Sequence, residues 1–216
     1  MPCEEAKGMT PSDGTAGVSD AQCTLEQTIL GNQIVEDSVD TRHINGKRKI
    51  VHIFGPPNSG KTTLRKTLAE MHPDYPNFCI DDFRRRYGDG TINGEIRSQI
   101  SFWGSMMSGG FFECSGAGRF TSQYITYFRY RRQFIIVMGT PSDVCISRIR
   151  KGKYDGIPFP FSGSDEEFIR NVAEYLSSKL FASICKGIPT LRLDTTQSIT
   201  EQAEVVERFA GLRDDS

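Results

Sequence analysis

From residue 49 onward, short apolar runs alternate with stretches of helical period. The runs are KIVHIF (49–54), NFCI (77–80), GFFEC (110–114), FIIVMG (134–139) and TLRLD (190–194). They are apolar on both faces, as parallel strands are when helices cover each side of the sheet. The helix starts between them are marked. Thr140-Pro141-Ser142-Asp143 predicts a helix with Thr140 as N-cap, Pro141 at the first position and an acid at the third. Ser164 with Glu167, and Ser198 with Glu201, have the spacing of capping boxes. The alternation predicts an α/β fold, an open parallel sheet of about five strands with helices on both faces.

Upstream the pattern is different. Residues 1–46 are polar, net acidic and rich in Gly, Ser, Thr and Asp, and only TLEQTIL and NQIVEDSV hint at order. This segment reads as a flexible N-terminal extension, and residues 47–216 as the folded domain.

Composition narrows the function classes. With a net charge of -1 and a pI near 6.3, the chain is no polycation, so any contact with nucleic acid must come from a local basic patch. The six cysteines form no CxxC pair and no His lies at metal spacing from them, which fits reduced thiols in a cytoplasmic protein. No apolar run approaches the length of a membrane span. The N-terminus MPCEEAKGMT has neither the basic start nor the apolar centre of a signal peptide.

The first apolar run leads directly into GPPNSGKTT (55–63), and the helix-forming TLRKTLAEM follows. This is the G-x-x-x-x-G-K-[ST] phosphate loop in its required setting, after a strand and before a helix. Gly55, Pro56, Pro57, Asn58, Ser59 and Gly60 are predicted to curl backbone N–H groups around the phosphates of ATP, at the positive end of a helix. Lys61 is expected to reach the β- and γ-phosphates, Thr62 to hold Mg²⁺, and Thr63 to add a phosphate donor. No N-K-x-D base-reading motif occurs, and FIIVMG ends in Met-Gly-Thr without a carboxylate. A small kinase is thereby favoured over a GTPase switch or a motor ATPase. A nucleotide-binding regulator that hydrolyses little is the rival of a different class.

Residues 79–88, CIDDFRRRYG, place Asp81 and Asp82 where a strand ends and three arginines directly after them. The plain reading is a capped helix with surface ion pairs. The functional one is a carboxylate beside the phosphates that takes the proton of an acceptor hydroxyl. On this reading Asp81 emerges from the strand next to the phosphate-loop strand. Arg84, one helical turn on, shares its face.

GPPNSGKTT followed by HPDYPNFCIDDFR resembles the kinase domain of polynucleotide 5′-hydroxyl kinases and their relatives, the zeta-toxin-like and other small P-loop kinases. The likeness is best over residues 49–87. It implies that Asp81 rather than Asp82 is the base, that Arg84 binds the acceptor, and that Lys61 and Thr62 serve phosphate and Mg²⁺. It further implies that Glu113, near the end of GFFEC, helps hold the acceptor or a metal-bound water. Arg148 and Arg150, in CISRIRKGKYDG (145–156), are implied as lid cations, with Lys151 and Lys153 as weaker candidates. Asp194 and Thr196, in LDTTQS (193–198), are implied on the adenine side. The acceptor so implied is a nucleotide or polynucleotide hydroxyl, single-stranded DNA or RNA included. The alternative is a small metabolite such as a sugar, nucleotide sugar or antibiotic.

The remaining candidates read as packing. His52 sits inside the first strand, and Trp103 with Met106 and Met107 suits a helix interface. RFTSQYITYFRYRR (119–132) interleaves four arginines with five aromatic residues at helical spacing. It reads as a partly buried element, or as a wall that follows a nucleic-acid backbone.

Overall fold

Five parallel strands carry the fold in this computed structural model, which describes residues 48–149 and 163–215. They are β1 (Ile50–Phe54), β2 (Asn77–Cys79), β3 (Gly110–Cys114), β4 (Gln133–Met138) and β5 (Thr190–Leu193). The sheet order is β2-β3-β1-β4-β5, so the strand feeding the phosphate loop is central and wholly buried. Each predicted strand is present. NFCI ends one residue early, because Ile80 already begins a helix.

The helices follow from the alternation of side chains in the sheet. Val51 and Ile53 of β1 face one way, with Phe111, Ile136, Met138 and Leu193. Onto that face pack α1 (Lys61–Met71), through Leu64 and Leu68, and α8 (Ile199–Ala210), through Ala203, Val206 and Ala210. Ile50, Phe54, Phe112, Cys114, Ile135 and Val137 face the other way. They are covered by α3 (Ile92–Ser105), α4 (Arg119–Tyr127), α6 (Asp165–Ser177) and α7 (Lys179–Ile184). The short α2 (Ile80–Tyr87) and α5 (Ser142–Ser147) follow β2 and β4 at the carboxyl edge of the sheet.

The helix starts correct one expectation. Pro141, not Thr140, is the N-cap of α5, and no side chain caps that helix. The Thr140 hydroxyl instead donates to the backbone oxygen of Ser59, 2.8 Å away, inside the phosphate loop. Ser198 and Glu201 form a complete capping box, whereas at Ser164 only the Ser164 hydroxyl takes part. The expected N-terminal extension, with TLEQTIL and NQIVEDSV, lies outside the described residues. Among those described, no helix is long and apolar enough to cross a membrane.

Candidate functional site

The loop between β1 and α1 is shaped by close approach. A Cβ on Gly55 would stand 2.7 Å from the Ser59 hydroxyl and 2.9 Å from Met138, so the first position of the motif admits only hydrogen. Gly60, at φ 96°, turns the chain into α1 through the left-handed region, and Asn58 also has positive φ. The Lys61 ammonium bridges the loop to the Pro56 carbonyl at 2.8 Å. The Ser59 hydroxyl is buried and lacks a hydrogen-bond partner, an orphan that a phosphate oxygen at the centre of the loop would satisfy. Neighbouring elements brace the loop from outside. The Asn58 amide donates to the Cys145 carbonyl, and Arg148 donates to the Asn58 carbonyl at 3.3 Å. Thr140 also reaches the Thr195 hydroxyl at 3.0 Å, which ties the β5–α8 turn to the loop.

Facing this loop is a carboxylate whose position the strand order explains. β3 is the direct neighbour of β1, and Phe54 is level with Cys114, so Glu113, one residue before the end of β3, lies close to the start of the loop. Glu113 is 5% exposed. One oxygen accepts from the Thr62 hydroxyl at 2.6 Å and the other from Arg65 Nε at 2.9 Å. Arg65, one turn past Thr62 on α1, also reaches the Asn77 side chain of β2. A hydroxyl and a charged carboxylate held together next to a phosphate loop form a fitting donor pair for Mg²⁺, an ion that takes few protein ligands and fills the rest with phosphate and water. Among the described residues no larger cluster of metal-ligating side chains exists.

Asp81 is placed differently from the expectation. β2 lies two strands from β1, with β3 between them, so Asp81 does not follow the strand adjacent to the loop. It sits in the first turn of α2, at the carboxyl edge of the sheet. Arg84 donates to it at 3.0 Å and grips Glu95 of α3 with two bonds of 2.9 and 2.7 Å. Glu95 in turn accepts from Gln99 at 2.7 Å. Burial alone would lower the pKa of Arg84; the bonds and charges of Glu95, then Asp81, outweigh it and raise it, so the guanidinium is firmly charged. Arg84, expected to bind the acceptor, is thus a clasp between two carboxylates. Asp82 is more exposed and pairs with Arg85 at 2.9 Å.

Two buried thiols lie at the same edge of the sheet. The Cys79 thiol, at the end of β2, is pushed up to about 12, first by burial and then by the negative charges of Glu113, Asp81 and Asp82. The Cys114 thiol is raised by burial, opposed first by its hydrogen bonds with Tyr124 and the Gly116 backbone and then by the positive charges of Arg84 and Lys61. Because β1, β3 and β2 lie side by side, their carboxyl ends bring Lys61, Glu113, Asp81 and Arg84 to one edge of the sheet, where open α/β sheets bind ligands.

Other expected residues are placed as follows. Arg148 is exposed beside the loop; Arg150, Lys151 and Lys153 lie outside the described residues. Asp194 accepts from the backbone N–H and hydroxyl of Thr196 at 2.9 and 2.7 Å, which lowers its pKa. This Asx turn shapes the loop after β5 with the Asp194 carboxylate directed at Thr196. Sequence reading missed Glu95, Arg65, Thr140 and Thr195. Only Glu95 carried a usable signal, an acid in the first turn of the helix after the arginine cluster.

No protein-family model matches the chain, and no curated protein matches it. Solved structures do. A shikimate kinase from Acinetobacter baumannii in complex with shikimate superposes with a TM-score of 0.54 at 15% identity, over 77% of this chain and 95% of that one. A putative kinase from Chloroflexus aurantiacus gives 0.56 at 18% identity, over 75% and 98%. A gluconokinase from Sinorhizobium meliloti gives 0.52 at 15% identity, over 76% and 91%. The chain has the α/β P-loop fold of the small kinases. Its structural neighbours are kinases of small molecules, and identities this low define the fold and nothing finer.

Proposed function

We propose that this protein is an ATP- and Mg²⁺-dependent phosphotransferase that moves the γ-phosphoryl group onto an acceptor hydroxyl, on a nucleotide or polynucleotide. The observation that carries the reading is the convergence of Lys61, the Thr62–Glu113 pair and the Asp81–Arg84 pair at one edge of the sheet. The loop and Lys61 hold the triphosphate, and Arg148 adds charge from outside. Thr62 and Glu113 hold Mg²⁺, which offsets negative charge on the phosphates. Asp81 has one oxygen on Arg84, leaving the other to orient the acceptor and take its proton. The acceptor oxygen bonds to the γ-phosphorus as the bond from that phosphorus to the β–γ bridging oxygen breaks, and ADP leaves. Asp194 and Thr196 shape the adenine side.

Arg85 and Arg86 are exposed on α2 and add positive charge to this edge, although Arg85 is paired with Asp82; Arg86 lies 5.2 Å from the Tyr87 ring centre. A second reading has its own support. Because Arg84 is clasped by Asp81 and Glu95, the acceptor side presents carboxylates, which suit the hydroxyls of a neutral sugar-like metabolite.

The test is transfer of label from γ-labelled ATP across a panel of nucleosides, oligonucleotides and sugars, with the natural chain and Asp81→Asn. We expect Asp81→Asn to lower kcat by about a hundredfold or more on the accepted substrate. Equal transfer by both removes Asp81 as the base.

A further inference from the structure

At the end of the sheet opposite the phosphate loop lies a surface that the kinase reading does not use. From Arg129 to Arg132 the chain carries three arginines, and no acidic residue lies between Glu113 and Asp143. The chain as a whole is slightly acidic, so this is a local concentration of positive charge. Its centre is the turn after α4. Tyr127 is 63% exposed and Tyr130 is 94% exposed, with Arg129 exposed between them. The Tyr127 ring meets Trp103 edge-on at 5.3 Å. One helical turn beyond Trp103, the exposed Met107 offers its carbonyl to the Arg131 guanidinium at 3.2 Å. The backbone of the same turn is anchored to the sheet, since Ile50 N–H donates to the Arg132 carbonyl at 2.9 Å. Tyrosines and arginines thus alternate on a fixed support. From Ile50 to the phosphate loop is the length of β1, about 16 Å.

We infer that this patch binds single-stranded polynucleotide without sequence preference. Bases stack on the exposed tyrosine rings, and the interleaved guanidinium groups follow the phosphates. A second copy of the chain is the poorer occupant: a self-complementary contact would set Arg129 and Arg131 against their own counterparts. The inference goes beyond the proposed kinase activity and stands whichever acceptor the active site takes.

Trp103 is the only tryptophan in the chain and lies inside the patch, so its fluorescence reports occupancy directly. Oligo-dT, oligo-rU, polyglutamate and phosphatidylserine vesicles are titrated into the full chain at low salt and again at increasing salt. We expect both oligonucleotides to quench Trp103, with affinity falling as salt rises, and the other two probes to leave it unchanged. Tyr130→Ala is expected to weaken binding about tenfold. Arg129→Ala is expected to reduce the slope of log affinity on log salt by about 0.7. Both side chains are exposed, and an unchanged rise in Tm with ATP confirms that each variant is folded. Absence of quenching overturns the inference, as does equal quenching by polyglutamate or vesicles. Oligonucleotide binding that ignores both substitutions also overturns it and leaves the kinase reading intact. Binding through the patch without phosphoryl transfer to any acceptor sinks the kinase reading alone.

Discussion

Glu113 shows how much one side chain can be asked to do. Its two oxygens join Thr62, on the phosphate side, to Arg65, whose guanidinium is almost wholly enclosed. Truncation by Glu113→Ala leaves that cation buried with only a neutral amide for company, and should destabilise the fold by about 3–5 kcal/mol in chemical denaturation. Glu113→Gln keeps a hydrogen-bond acceptor for Thr62 and most of the packing, yet removes the charge that a divalent ion needs. It should lower kcat by about a hundredfold, with a loss of stability that is smaller only by the packing it keeps, because Arg65 still loses its counter-charge. A Gln variant with undiminished turnover would show that the carboxylate acts in folding and not at the phosphoryl group.

Elements decide which of these groups meet. α2 and α3 are joined by the Arg84–Glu95 pair across the turn between them, and Arg84 also holds the Asp81 carboxylate. Glu95→Gln should therefore shift Arg84 towards Asp81, occupying the oxygen meant for the acceptor. We expect kcat to fall about tenfold with KM for ATP unchanged, and stability to fall by about 2 kcal/mol. Equal changes in both kinetic constants would mean a general disturbance of the site. The helix and strand pattern was legible in the chain because each strand run is short and apolar, and some of the helices between them start at capping residues such as Ser164 and Ser198. The phosphate loop was legible because its residues are contiguous. Strand order was not. Nothing in NFCI or GFFEC says which one lies against β1, so Asp81 was assigned to the neighbouring strand that in fact belongs to Glu113. Arg65 and Thr195 were hidden for a related reason, since each serves the site through a partner distant in sequence, reached only after the sheet has formed.

At the scale of the whole molecule, one buried group makes stability depend on pH between neutrality and about pH 4. His52, in the central strand, is fully buried and stacks on Tyr124 with ring centres 5.7 Å apart. Nε2 is 3.0 Å from the Gln133 side-chain oxygen, and Nδ1 has no partner. Burial lowers its pKa from 6.5 to about 4, only partly opposed by the Gln133 bond. The folded protein thus keeps the ring neutral where the unfolded chain protonates it. Above pH 6.5 both states are neutral and the group contributes no pH dependence. As pH falls from 6.5 towards 4 the unfolded chain binds the proton first, and stability declines by about 3 kcal/mol before levelling off. Asp194 and Glu201, whose pKa values are lowered by their own turn and cap, contribute in the same direction only below the ordinary carboxylate range. The two effects therefore separate on the pH axis. Denaturation of the natural chain and of His52→Phe, measured between pH 7 and pH 4.5, should show the slope in the former and a nearly flat line in the latter, whatever their absolute stabilities. Parallel curves would place the origin of the acid sensitivity outside the core of the sheet.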